Sequence, residues 1–189
     1  MCSPLRRKIN SDLHALDLLA AVHGWTPSSI NIRPCEDVLS KKKHLLEQVD
    51  NFYESFKDYI HDVIFQVQMT VNENGKLKSI ARPGQSSMVC LSPNLFPYQL
   101  PEGTSHYVLW YSDAFGESEI PSDSQITVDI VQQLKRVFTV TADSVGKVEV
   151  PEFVWYENPK INKEIYHVQV FVRSPDEKIG TIQECRYCS

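Results

Sequence analysis

Residues 153–173 read FVWYENPKINKEIYHVQVFVR, two β-rich runs, Phe153–Glu157 and Ile165–Arg173, joined across Asn158-Pro159 and a short polar connection. The second run alternates strictly. Tyr166, Val168, Val170 and Val172 fall on one face, and His167, Gln169, Phe171 and Arg173 on the other, because successive strand side chains point to opposite sides. An apolar back beneath a His-x-Gln front predicts a strand that lies on a core and presents polar groups above it. Those polar groups are the first candidates for chemistry.

Working towards the N-terminus, the helix predicted over 127–138 turns Val128, Val131, Leu134, Val137 and Phe138 inward, with Ser124 or Thr127 as its cap. His106–Tyr111 (HYVLWY) is a strong strand and Met88–Leu91 a short one, separated by a loop with Pro93, Pro97 and Pro101. Phe65–Val71 reads as a strand that turns at Asn74-Gly75 and returns through Lys76–Ile80. Before it, 36 to about 59 reads as one long amphipathic helix, with Val38, Leu39, Leu45, Leu46, Val49, Phe52, Tyr53 and Phe56 at helical spacing. A further helix is expected over Ser11–His23, stopped by Gly24.

This order predicts an α+β fold: N-terminal helices, then a mostly antiparallel sheet crossed by one helix. The expected divisions are a helical segment over 1–62, a sheet core over 63–175 and a tail over 176–189.

With 189 residues the chain suits one domain with a full core. A formal net charge of −5 argues against a nucleic-acid binder, which needs a basic footprint, and Lys41-Lys42-Lys43 reads as the solvated face of a helix. No stretch approaches the roughly 20 apolar residues of a membrane span, and no cleaved leader is expected. Five scattered cysteines fit reduced thiols and a cytoplasmic location better than a disulfide framework. Cys185 and Cys188 form a lone CxxC without a second ligand pair, so neither a metal nor a cofactor is expected.

Polar residues on apolar, sheet-forming runs are the candidate site. His167, Gln169 and Asn158 are assigned catalytic roles, and His106, Arg173 and Trp110 substrate binding. For Trp110, as for Trp155 and Phe96, core packing is the competing reading. Histidine serves as nucleophile or base, although a strand histidine is also a common structural residue. His14, His23, His44 and His61 sit among charged residues and read as solvated. Ser86-Ser87 lacks a nucleophile elbow and reads as turn chemistry.

Pro97-Tyr98, Leu100, Gly103, His106, Val108-Leu109-Trp110, the helix 124–138, Trp155-Tyr156-Glu157-Asn158 and His167-Val168-Gln169-Val170 follow one another in an order and spacing that resembles the fungal N-acetylglucosamine-induced-protein family, a eukaryotic domain of unknown biochemical function. The resemblance covers 95–173 well and 36–173 loosely. Gln169 stands where that family has its second histidine. More distantly, the histidine-led strand, helix, asparagine-ended strand and His-x-Gln strand are similar to the histidine-triad nucleotide hydrolases and transferases, and the pair itself to hexose-1-phosphate uridylyltransferases. That resemblance implies a nucleophilic His167 attacking a nucleotide α-phosphate, with Gln169 on a phosphate oxygen. Ile165 replaces the triad's first histidine, and Lys163-Glu164 stand in place of its glycine-glutamine phosphate loop.

On the residues alone the spacing also works. Positions i and i+2 on a strand share a face, so the Gln169 amide could donate to an oxygen of the phosphorus that His167 attacks, with Asn158 giving a second hydrogen bond and Arg173 balancing charge. The expectation is a phosphoesterase or nucleotidyl-transfer enzyme for a nucleotide or sugar-phosphate, with a homodimer left open. The alternative is a non-catalytic binding or regulatory module that uses the proline loop and N-terminal helices as its contact surface.

Overall fold

The structure, a computed structural model, describes residues 7–9, 35–80, 87–98, 100, 104–112, 120–139, 150–157 and 164–173. The helix expected over Ser11–His23, Asn158, Ser86 and the Cys185/Cys188 tail lie outside the described residues.

The architecture is α+β, as the residue patterns predict. A five-stranded sheet has the order β1-β6-β7-β5-β4, with β1 at Arg7–Ile9, β4 at Val89–Pro93, β5 at Thr104–Tyr111, β6 at Glu152–Tyr156 and β7 at His167–Arg173. Every neighbouring pair is antiparallel. A separate hairpin pairs β2 (Met69–Val71) with β3 (Leu77–Ser79). At its tip, Asn72 Oδ1 accepts from the Asn74 and Lys76 backbone N–H groups, and Gly75 takes a φ of 78°, which its missing Cβ permits.

The alternation of β7 decides the layering. Val168, Val170 and Val172 join Tyr107, Leu109 and Tyr111 of β5 and Phe153 and Trp155 of β6 in a buried cluster on the sheet's back face. A helix over Asp123–Thr139 (called α3 below) inserts Ile126, Ile130 and Leu134 into that cluster, all fully buried. Polar contacts fix its position: Asp129 accepts from the Tyr111 hydroxyl and the Gln125 amide, and Gln133 donates to the Val89 carbonyl. The Asp129 charge and burial both hold the Tyr111 hydroxyl well above its ordinary pKa, burial being the larger effect. The helix starts four residues earlier than predicted, and Ser122 rather than Ser124 or Thr127 serves its N-terminus, its hydroxyl accepting from the Gln125 N–H. Val128, expected inward, is 47 % exposed, because Ile126 and Ile130 set the inward stripe.

The front face carries two helices, α1 (Glu36–Phe52) and α2 (Phe56–Val63), in place of the single helix the periodicity predicts. Two residues stop the first. Tyr53 turns extended and bridges Leu77 of β3 in parallel, and Ser55 caps α2 by accepting from the Asp58 N–H. Val49, Tyr59 and Ile60 then pack on Val108, Trp110 and Ile165.

The strand expected from Phe65 begins only at Met69. The Phe65, Gln66 and Val67 N–H groups still bond back to Ile60, Asp62 and His61, and Gln66 sits at a φ of 52°. His61, read as solvated, is buried: its Nε2 donates to the Ser112 carbonyl at 2.6 Å and its Nδ1 meets the Ser79 hydroxyl at 2.9 Å. His44 is exposed, as expected. Among the described residues, no helix is long and apolar enough to cross a membrane.

Candidate functional site

The front face of β5 and β7 is bounded by α1 and α2 at one end and by residues 94–98 at the other. The antiparallel register puts Trp110 opposite His167, Val108 opposite Gln169, His106 opposite Phe171 and Thr104 opposite Arg173. Five of the six predicted site residues therefore share one face of two paired strands.

His106 is 5 % exposed, and both of its ring nitrogens are used. The Tyr98 N–H donates to Nδ1 at 3.2 Å, which makes Nδ1 an acceptor and leaves the proton on Nε2. Nε2–H donates to Gln169 Oε1 at 2.6 Å. The ring stacks on Phe171, with centroids 4.4 Å apart, and meets Tyr98 at 4.7 Å. Burial pushes its pKa down to about 4, partly opposed by the Gln169 bond, so the ring is neutral near pH 7. His106 thus has no nitrogen left for a substrate, and its influence on one runs through Gln169.

Gln169 is oriented from two sides. Its Oε1 accepts from His106 and, at 3.2 Å, from the Asn94 amide. Asn94 is itself fixed, because its Oδ1 accepts from the Phe96 N–H two residues on, an Asx turn. With Oε1 spent on two donors, the Gln169 amide group directs its NH2 away from His106.

His167 lies two residues back on the same face, roughly 7 Å along the strand. Its Nδ1 donates to the Ile165 carbonyl at 3.1 Å, so in the neutral ring the lone pair is on Nε2. Burial lowers its pKa, the Ile165 bond opposes this, and the charge of Lys42 on α1 lowers it further. Trp110 packs against this ring at 4.7 Å and donates its Nε1–H to Ser92 Oγ at 3.1 Å. It is 9 % exposed, so it backs His167 from within the core as a wall, not as an open platform.

Arg173 is not brought to His167. Six positions along a strand separate them by about 20 Å, and the Arg173 guanidinium lies 3.9 Å from the Glu152 carboxylate across β6. Asn158, the remaining predicted residue, lies outside the described residues. Among the described residues, no three His, Cys, Asp or Glu side chains come together as a group that could hold a metal ion.

Two participants escape the sequence reading. Asn94 carries a turn signal in Ser92-Pro93-Asn94, but nothing local announces Gln169 as its partner. Lys42 lies within a triple-lysine run whose three members are all exposed, and only the packing of α1 distinguishes one of them.

No protein-family model and no curated protein matches this chain. It is similar to one solved structure, "Crystal Structure of HTC1", at 14 % identity and a TM-score of 0.43, over 89 % of this chain and 85 % of that one.

Proposed function

We propose that this chain is a phosphoesterase or nucleotidyl-transfer enzyme in which His167 attacks phosphorus in a nucleotide or sugar-phosphate. One observation carries the reading: His167 and Gln169 are held in complementary orientations on the same strand face. The Ile165 carbonyl takes the Nδ1 proton of His167 and leaves Nε2 nucleophilic, while His106 and Asn94 hold Gln169 with its NH2 group as a donor. Burial keeps the His167 ring neutral, the form that can attack.

In the first step an Nε2–P bond forms and the P–O bond to the leaving group breaks. The leaving oxygen departs with the bonding pair. When it belongs to a phosphate or sugar-phosphate it leaves as a stable anion and needs no general acid. The Nδ1–H bond to Ile165 steadies the positive charge that grows on the ring, and the Gln169 NH2 donates to a non-bridging oxygen. Water, or the phosphate of a second substrate, then attacks phosphorus and releases His167. In this reading Asn158 adds a hydrogen bond to the same phosphate. The distant resemblance to histidine-triad transferases supports it, and the His167-x-Gln169 pair resembles that of the hexose-1-phosphate uridylyltransferases; a cytoplasmic location goes with this reading.

The test is a thermal-shift screen against nucleotides, nucleotide sugars and sugar phosphates, followed by intact-mass analysis of protein mixed with any binder. At 100 times the dissociation constant a ligand adds about 2.7 kcal/mol, a readable shift. An acid-labile phosphoryl or nucleotidyl adduct in wild type, absent from a folded His167→Ala variant, is the expected result. Loss of stability alone in that variant, with no ligand and no adduct, would overturn the proposal.

That outcome would favour the second reading, a non-catalytic binding module. The internal commitment of His106 and Trp110, whose polar atoms all bond within the protein, is the observation on its side.

A further inference from the structure

Helix α1 meets the sheet along a single stripe. Leu45 and Val49 belong to the cluster that includes Trp110 and Ile165, and Val49 is 2 % exposed. Lys42 precedes these residues by three and seven positions, so it continues their stripe by one turn. Lys41 and Lys43 step about 100° to either side of it. The cluster that this stripe joins includes Trp110, whose ring centroid is 4.7 Å from that of His167. A lysine so placed lays its methylene stem along the apolar seam and extends its ammonium past the seam's edge.

We propose that Lys42, alone of the three consecutive lysines, is the cationic arm of the anion site, placing its ammonium beside His167 to neutralise a phosphate there. The inference rests on the phosphate reading of the His167–Gln169 pair and adds the positive charge that this pair lacks. His167 and Gln169 supply a lone pair and a neutral donor, neither of which offsets a phosphate dianion. Arg173, the cation the strand itself provides, is six positions away beside Glu152. The Lys42 charge is also the smallest of the three influences on the His167 pKa, acting with burial to lower it.

The geometry defines the substrate class more closely. One ammonium beside one histidine and one amide fits a phosphate or diphosphate ester whose phosphorus sits over His167, with its charged oxygens turned towards α1. As Lys42 is itself exposed, its contribution is sensitive to ionic strength. Compared with binding through Gln169 alone, affinity should fall steeply as salt rises.

The experiment uses the full chain, with inorganic phosphate and ADP as probes. Histidine ring signals are followed by NMR against pH and against each probe in wild type, Lys42→Gln, Lys43→Gln and His167→Ala. The Lys42→Gln variant should raise the pKa of His167 and weaken probe binding about five- to tenfold at low salt, the scale of one partly screened charge contact. The Lys43→Gln variant should leave both unchanged, and added salt should erase the difference between the two. If wild type binds either probe through His167 but the Lys42 and Lys43 variants behave alike, Lys42 is not the cationic arm and the phosphate reading stands. If neither probe perturbs His167 in wild type, both the arm and the phosphate reading fall.

Discussion

His106 shows how one proton position can order a whole site. The Tyr98 N–H donates to the Nδ1 lone pair, so a second proton on that nitrogen would remove the acceptor and set one donor against another. Burial reinforces the preference and takes the pKa down to about 4 from the ordinary 6.5. As pH falls from 6.5, the unfolded chain binds the proton first, so the folded state loses stability until about pH 4 is reached. Above pH 6.5 the contribution is fully present. The interval corresponds to a loss on the order of 3 kcal/mol, and His167, shifted the same way, adds to it. Urea unfolding at pH 7 and pH 4.5 should show this loss, and a His106→Asn variant should show a shallower one. An equal slope in that variant would assign the acid sensitivity to other groups. Gln169 offers a sharper separation of roles. Gln169→Leu leaves the His106 and Asn94 donors without their acceptor and should destabilise by roughly 1–3 kcal/mol per buried donor. Gln169→Glu retains an acceptor for both, so it should fold better than the leucine variant while repelling phosphate, as parallel melts and binding titrations would reveal.

Among the elements, the α2–hairpin contact is held by polar side chains 18 to 21 residues apart in sequence. Ser55 caps α2, and Asp58 then accepts from the Ser79 N–H and hydroxyl, both at 2.7 Å. Burial opposes ionisation of Asp58, but hydrogen bonds from Ser55 and Ser79, with His61 nearby, outweigh it and hold the carboxyl below its usual range. His61 reaches from the same helix to Ser79 and to the end of β5. Removing the hydroxyl in Ser79→Ala should cost roughly 1–3 kcal/mol, while the backbone bond to Asp58 keeps the hairpin docked. Hydrogen exchange should therefore accelerate at Leu77–Ser79 and leave β7 protected; uniform acceleration would mean that the hairpin has no local stability of its own. These contacts also explain what the sequence concealed. Apolar spacing runs unbroken from Leu45 through Phe56, so periodicity alone joins α1 to α2. The interruption comes from Tyr53 pairing with Leu77, a non-local contact, and from a serine that is ordinary in composition. His61 looked solvated for the same reason, since its partners arrive from other strands.

At the scale of the molecule, the sheet is buried on both faces along β5 and β7, and the two faces were unequally legible. The back face was readable because Val168, Val170 and Val172 have only apolar partners and strict alternation permits no other arrangement. On the front face, the sequence identified His106, His167 and Gln169 as companions but not that His106 spends both ring nitrogens on Tyr98 and Gln169. Whether a histidine binds substrate or orients a neighbour depends on which backbone N–H reaches its ring, and Tyr98 belongs to an irregular loop. Lys42 was indistinguishable from Lys41 and Lys43 until α1 had a face to bury. The shared sheet has a mechanical consequence. Trp155 reports on the back face, 1 % exposed, and Trp110 on the front, yet Leu109 and Val168 connect the strands beneath both. Leu109→Ala empties space in the fully buried centre and should cost about 2–5 kcal/mol. In two single-tryptophan backgrounds, Trp25→Phe/Trp155→Phe and Trp25→Phe/Trp110→Phe, urea transitions followed through Trp110 alone and Trp155 alone should each coincide with the far-UV circular dichroism of the same variant, and Leu109→Ala should lower both midpoints. A Trp110 transition that precedes the circular dichroism of its variant would show instead that the α1–α2 layer, and with it the Lys42 side of the site, opens before the sheet does.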